Sequence, residues 1–240
     1  MTRILLVRGM LAGLIAGLLV FALARWIGEP QVDRAIAFET SLDQAKGEAP
    51  ELEIVSRKVQ RGFGLLTATV VEGSAIGGIF SLVFAFANGR LPVSSMRALS
   101  ALLAGLGFVA VVVVPALKYP ANPPSVGNPE TIGTRTAAFF LLIAFSVAAM
   151  LLSVQIEGRL HRRLGVWNAS LVAALFFVIA IVAVTHFLPE FDEVPAGFPA
   201  TLMWKFRVAA LEMQMLMWST LGLLFGWLAE RSLKDRRLQG

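Results

Sequence analysis

Two carboxylates stand out for where they sit. Glu72 and Glu212 each interrupt a run of apolar residues long enough to cross a bilayer. An ionised group inside hydrocarbon is costly, so such residues usually face protein or water and mark an ion or proton path. Two carboxylates can ligate a divalent cation, or share one proton at a raised pKa. The alternative is structural pairing: Lys205 lies two turns from Glu212 on the same helix face, with Arg207 close by. His186, near the end of another apolar run, offers an imidazole, which suits cobalt, nickel or zinc. The plainer reading is an interfacial histidine with a polar neighbour. His161 sits in a basic stretch and reads as structural. Met213 and Met217 stack at i, i+4; thioethers favour soft metals, although methionine in such a run more often packs helices.

The elements that carry these residues follow from composition. Of 240 residues, 57% are hydrophobic and only 15% charged. The mean hydropathy is +0.73. A soluble domain carries roughly 25% charged residues. A bilayer core about 30 Å thick needs about 20 apolar residues of helix. Six runs qualify, at 4–26, 63–87, 98–117, 136–156, 166–188 and 208–228. They lack the period-2 alternation of a membrane barrel, and backbone groups in lipid must bond internally, which leaves helix. The expected fold is all-α: one integral membrane domain over 1–240, a bundle of about six spans. Within these spans Glu72 lies roughly 5 Å and Glu212 roughly 8 Å to the outer side of the helix middle, so the two could meet if their helices pack together. The first run could also be a signal peptide ending at Ala22-Leu23-Ala24, whose removal would leave five spans.

Charge sets the expected orientation. Arg3, Arg8, Arg90, Arg97, Arg159, Arg162, Arg163, Arg231, Lys234, Arg236 and Arg237 fall on one side. Glu29, Asp33, Glu39, Asp43, Glu48, Glu51, Glu53, Glu130, Glu190, Asp192 and Glu193 fall on the other. By the positive-inside rule both termini are cytoplasmic. The net charge of +5 then reflects loop asymmetry rather than nucleic-acid binding. The outside loops are 27–62, 118–135 and 189–207. The first opens on Gly28-Glu29-Pro30, read as a turn, with a short amphipathic helix over 33–45. The second carries Pro120, Pro123, Pro124 and Pro129 and reads as a stiff, extended flap. Acidic Glu29 and Asp33 would draw divalent cations toward His186, Glu72 and Glu212.

Small-residue stripes mark helix contacts: Gly9, Gly13 and Gly17; Gly73 and Gly77, continuing to Ser81; Gly222 and Gly226. There is no cysteine, which removes disulfides, thiolate sites and cysteine nucleophiles. No P-loop, H-E-x-x-H or G-x-S-x-G pattern occurs. Neither an ATP site nor an enzyme is expected, and no permanently bound cofactor.

Several segments carry a resemblance. Gly28-Glu29-Pro30-Gln31-Val32-Asp33-Arg34-Ala35-Ile36-Ala37-Phe38-Glu39 and the loop Lys118-Tyr119-Pro120-Ala121-Asn122-Pro123-Pro124-Ser125-Val126-Gly127 are the most specific. Thr131-Ile132-Gly133-Thr134-Arg135-Thr136, Leu164-Gly165-Val166-Trp167-Asn168-Ala169 and the stretch 194–207 (from Val194-Pro195-Ala196-Gly197) extend it. Over nearly the whole chain the sequence resembles the CbtA family, bacterial membrane proteins described as probable cobalt transporter subunits with five or six helices. The resemblance implies cobalt as substrate, a link to cobalamin supply, the bacterial inner membrane, and a small partner membrane subunit, CbtB, described as carrying a histidine-rich motif. It supplies no metal-ligand set. Two readings follow: a membrane subunit of a divalent-cation uptake transporter, or a non-transporting scaffold that docks a permease.

Overall fold

The structure, a computed structural model, describes residues 2–47, 54–93 and 95–237, with side chains through 231. Glu48, Glu51 and Glu53, counted above among the acids, lie outside the described residues, as do the side chains of Lys234, Arg236 and Arg237. Five helices are long and apolar enough to cross a membrane. They are α1 (Thr2–Lys46), α2 (Arg57–Ala87), α3 (Met96–Lys118), α4 (Ile132–Phe187) and α5 (Ala200–Arg237).

Two prolines, Pro30 and Pro115, lie inside long helices without ending them. The turn expected at Gly28-Glu29-Pro30 is absent, and α1 runs through it to Lys46. Proline has no N–H, and its ring clashes with the carbonyl four residues back. The chain widens just before it. Ala24–Gly28 form a π-helical turn in which the Glu29 N–H bonds to the Ala24 carbonyl, one residue ahead of Pro30. In α3 the same device recurs: Val109–Val113 are π-helical and the Val114 N–H bonds to Val109, one residue ahead of Pro115. One extra residue per turn moves the opposing carbonyl away from the ring. The helix expected over 33–45 is therefore the far part of α1, ended by Gly47 at φ 74°.

Within α4 both apolar runs expected as spans, 136–156 and 166–188, are helical, but the basic segment between them is not a loop. Helix continues to Leu164 and breaks at Gly165 alone, at φ 75° and ψ 166°. That conformation is essentially open only to glycine. The two arms, 132–164 and 166–187, fold back on each other, since Leu142 and Ala149 share a core with Ile181 and pack against Phe177 and Val184. The last helix begins at Ala200, eight residues before the expected 208.

The chain forms two compact units. One comprises Met1–Gly105, Pro123–Ser125 and Gly197–Gly240; the other comprises Leu106–Asn122 and Val126–Ala196. The division falls inside α3. In the first unit, Gly9, Gly13 and Gly17 of α1 lie against Gly77, Gly73 and Thr69 of α2, backbone to backbone. Gly222 and Gly226 of α5 lie against Ala104, Ser100 and Arg97 of α3, where the Ser100 hydroxyl donates to the Gly222 carbonyl at 2.6 Å. Phe80 and Phe84 meet Phe225 edge-on, with centroids 5.5 and 5.0 Å apart.

Many small residues are buried at the helix contacts, and many large apolar ones face outward. Ala12, Ala16, Ala24, Ala104, Ala209 and Ala229 are buried, whereas Leu11, Ile15, Leu18, Leu82, Phe86 and Leu223 are exposed. Lipid tails solvate leucine as well as a protein core does, so close backbone packing rather than apolar burial selects the interface. On α5, Trp204 and Trp227 are 23 residues apart, roughly 35 Å. That separation brackets a hydrocarbon core of about 30 Å with an aromatic at each boundary.

Candidate cation-binding residues

Glu29 and Asp33 lie one turn apart on α1, and so do Arg57 and Arg61 at the start of α2. The folded chain sets these pairs against each other. The Arg57 guanidinium donates to the Glu29 carboxylate through Nη2 and to Asp33 Oδ1 through Nε at 3.1 Å. Arg61 stands 4.0 Å from Asp33 Oδ2, and its carbonyl accepts from Arg25 Nη1 at 3.1 Å. Arg57 and Arg61 balance the two carboxylates, with Arg25 beside them, so these carboxylates are committed to holding the head of α2 against α1. Reading the loop as acidic missed Arg57 and Arg61. The complementary i, i+4 spacing of the two pairs was the signal that could have found them.

Two acids of the second unit, Glu193 and Glu190, are also paired. The Glu193 carboxylate accepts from the Asn128 N–H at 2.7 Å and from the Thr131 hydroxyl, and pairs with Arg135 Nε at 3.3 Å. These donors, Thr131 first and Asn128 second, hold its pKa below the ordinary carboxylate value. Lys118 Nζ donates to Glu190 at 3.0 Å, and the Tyr119 hydroxyl donates to the Pro189 carbonyl at 2.7 Å. The Pro-rich loop is thus tied to the loop that follows α4.

Glu72 and Glu212 are different. Both are exposed, on the side of their helix turned away from the packed face. Neither makes a hydrogen bond or ion pair with a described residue, so the expected pairing of Glu212 with Lys205 or Arg207 does not occur. Their levels are fixed by neighbours. Gly73 faces Gly13 and Gly17, while Met217 packs with Ala16 and Val20 at about that level. Glu212 stands five residues before Met217, so it lies roughly 7 Å nearer the Glu29 end than Glu72.

His186 is exposed near the end of α4, its ring 5.4 Å from that of Phe187 at an angle of 75°. His161 accompanies Glu157 one turn away, Nδ1 to Oε1 3.1 Å, as a structural histidine would. Met217 is buried in a cluster that Met213 packs against, and Met213 also reaches Gly28, so both thioethers serve packing. Among the described residues no group of three or more His, Asp or Glu side chains is placed to hold a metal ion. Isolated oxygen donors on the outside of a helix bundle are what this chain presents.

Among the described residues the fold is all-helical, and five helices long and apolar enough to cross a membrane, with many large apolar side chains exposed, define a polytopic membrane protein. The model of the CbtA family, described as probable cobalt transporter subunit, matches residues 2–230, and the chain belongs to that family. No curated protein and no solved structure matches it.

Proposed function

We propose that this chain is the membrane subunit of a cobalt uptake transporter in the bacterial inner membrane, with Glu72 and Glu212 as successive stations on the cation's path. The reading takes α4 as two crossings joined at Gly165, which makes six and leaves both termini on the cytoplasmic side with the arginine-rich ends. The observation that carries it is that these two carboxylates are exposed and unpaired while other acids of the chain, Glu29, Asp33, Glu190 and Glu193, are held by arginine or lysine. Maintaining a carboxylate inside hydrocarbon without a partner is costly, and function is the usual reason for it. Glu29 and Asp33 then shape the outside surface rather than carry the ion. His186 remains a third candidate ligand, at the outer end of its own helix. A small partner subunit of the CbtB type would complete the assembly.

Radioactive cobalt uptake tests this in cells lacking other cobalt importers, with the chain expressed alone and with its partner. Uptake that depends on the chain and is lost in Glu72→Gln and Glu212→Gln, with both variants present in the membrane, supports the path. Undiminished uptake in both variants removes it.

The outward exposure of both carboxylates also favours a second reading, a non-transporting scaffold that docks a permease. Purified protein that moves cobalt into sealed vesicles by itself would exclude the scaffold.

A further inference from the structure

Where α1 meets the head of α2, positive charge exceeds what the carboxylates there balance. Arg25 sits in the π-helical turn of α1, and Arg61 sits in a second π-helical turn, Gln60–Gly64, of α2. The two turns meet, because Arg25 Nη1 donates to the Arg61 carbonyl at 3.1 Å. That acceptor is neutral, so it fixes the Arg25 guanidinium without cancelling its charge. Glu29 and Asp33 are held by Arg57, with Arg61 4.0 Å from Asp33. Lys58, one turn before Arg61, is exposed, and no described carboxylate pairs with it or with Arg25. Arg25, Arg57 and Arg61 against Glu29 and Asp33 leave one positive charge, and Lys58 adds another. Aromatic rings flank this excess. Trp26, beside Arg25, is 78% exposed, and Phe63, two residues beyond Arg61, is 79% exposed. Trp26 closes the apolar run 4–26 and Phe63 opens the run 63–87, so both stand at the level of lipid headgroups.

We infer that this junction binds the phosphate of an anionic membrane phospholipid, with Arg25 and Lys58 as its cationic contacts and Trp26 and Phe63 beside the start of its acyl chains. Exposed aromatic rings at the boundary of a membrane-spanning bundle are covered by lipid, so position decides that the occupant is a lipid. Charge then decides which kind. A zwitterionic headgroup brings its own cation to a place that already has two in excess, whereas an anionic headgroup brings none. Arg25 is suited to the contact: one N–H is spent on the Arg61 carbonyl, and the rest of its planar fork remains to donate to phosphate oxygens. A lipid held here bridges the ends of α1 and α2, the same junction that Arg57 holds through Glu29 and Asp33. The inference rests on the membrane class alone and is independent of what the chain transports.

Native mass spectrometry of the full chain in neutral detergent tests it, with phosphatidylglycerol, phosphatidylcholine or sodium phosphate added in turn. The expected result is that phosphatidylglycerol binds more tightly than phosphatidylcholine and is not displaced by sodium phosphate. Arg25→Ala and Lys58→Ala should each weaken its binding about fivefold, the worth of one basic side chain near an anionic surface. Arg25→Lys, which keeps the charge, should restore most of it. Arg159→Ala, which removes an exposed arginine from the basic segment of α4, should leave it unchanged. Equal binding of the two lipids overturns the selection by charge. Displacement by sodium phosphate overturns the lipid and leaves a site for a free anion. An equal loss in Arg159→Ala means diffuse attraction and overturns the site. Arg25→Lys as weak as Arg25→Ala means that the arginine only packs, which overturns its role. Lys58 makes no contact that folding needs, so unchanged binding in Lys58→Ala overturns the inference even where Arg25→Ala fails to fold.

Discussion

Gly13 and Gly73 touch through their backbones: a Cβ built on Gly13 would come within 3.0 Å of the Gly73 carbonyl oxygen, and one built on Gly73 would do the same to Gly13. The carbonyl cannot move without disturbing the helix it belongs to. This reciprocal contact is the centre of the α1–α2 seam, which also sets the level of Glu72 beside it.

Gly13→Ala should therefore destabilise the protein by about 1–3 kcal/mol, the range for overpacking a close contact. Gly105→Ala, where an added Cβ meets nothing within 4 Å, should be neutral or slightly stabilising because alanine is the better helix former. Thermal unfolding in detergent compares the two. Equal behaviour would mean that the seam is not close-packed.

Arg57→Ala should release the head of α2 from α1. The Glu29 side chain is 12% exposed, so removing its cation leaves a largely buried charge without a partner. The cost is about 1–3 kcal/mol, more than for a surface ion pair. Hydrogen exchange over 29–46 should speed up in Arg57→Ala. Arg57→Lys should only partly restore protection, because a single ammonium cannot reproduce the guanidinium fork that reaches both carboxylates.

Glu193 gives the loops a defined pH response. Its pKa is lowered in the folded chain from the ordinary 4.5, so folding favours its ionised form. The stabilisation is fully present above pH 4.5 and is lost as the pH falls through the lower folded value. Exchange protection of the Asn128 amide should hold at neutral pH and drop only below pH 4.5. In Glu193→Gln protection should be reduced at neutral pH and show no such acid step.

Gly165→Ala should cost about 1–3 kcal/mol, because no other residue adopts its backbone conformation without strain. The loss should appear as faster exchange in the flanking segments of both arms of α4, with the α1–α2 seam unchanged. A substitution without effect would mean that the arms can join through another geometry.

What the sequence determined by itself is the membrane class and the position of each apolar run. Hydrocarbon admits only backbones that satisfy their own hydrogen bonds, and about 20 consecutive apolar residues meet that demand wherever they occur. The glycine stripes were legible for a related reason, since close helix packing requires small residues at fourfold spacing. Which way a helix faces was not legible. In water an amphipathic pattern reveals the buried side, but in lipid both sides of a helix are apolar, so nothing local to Glu72 or Glu212 says that they point outward. Tertiary structure alone decided that, because α1 occupies the opposite face of α2 through Gly73 and Gly77. It also decided that Glu29 belongs to Arg57, a partner 28 residues away that only the meeting of two helix ends brings into reach. Pro30 and Pro115 fall between the two cases: the sequence marks the missing donor, but only the surrounding packing determines that the helix widens by one residue and continues instead of ending.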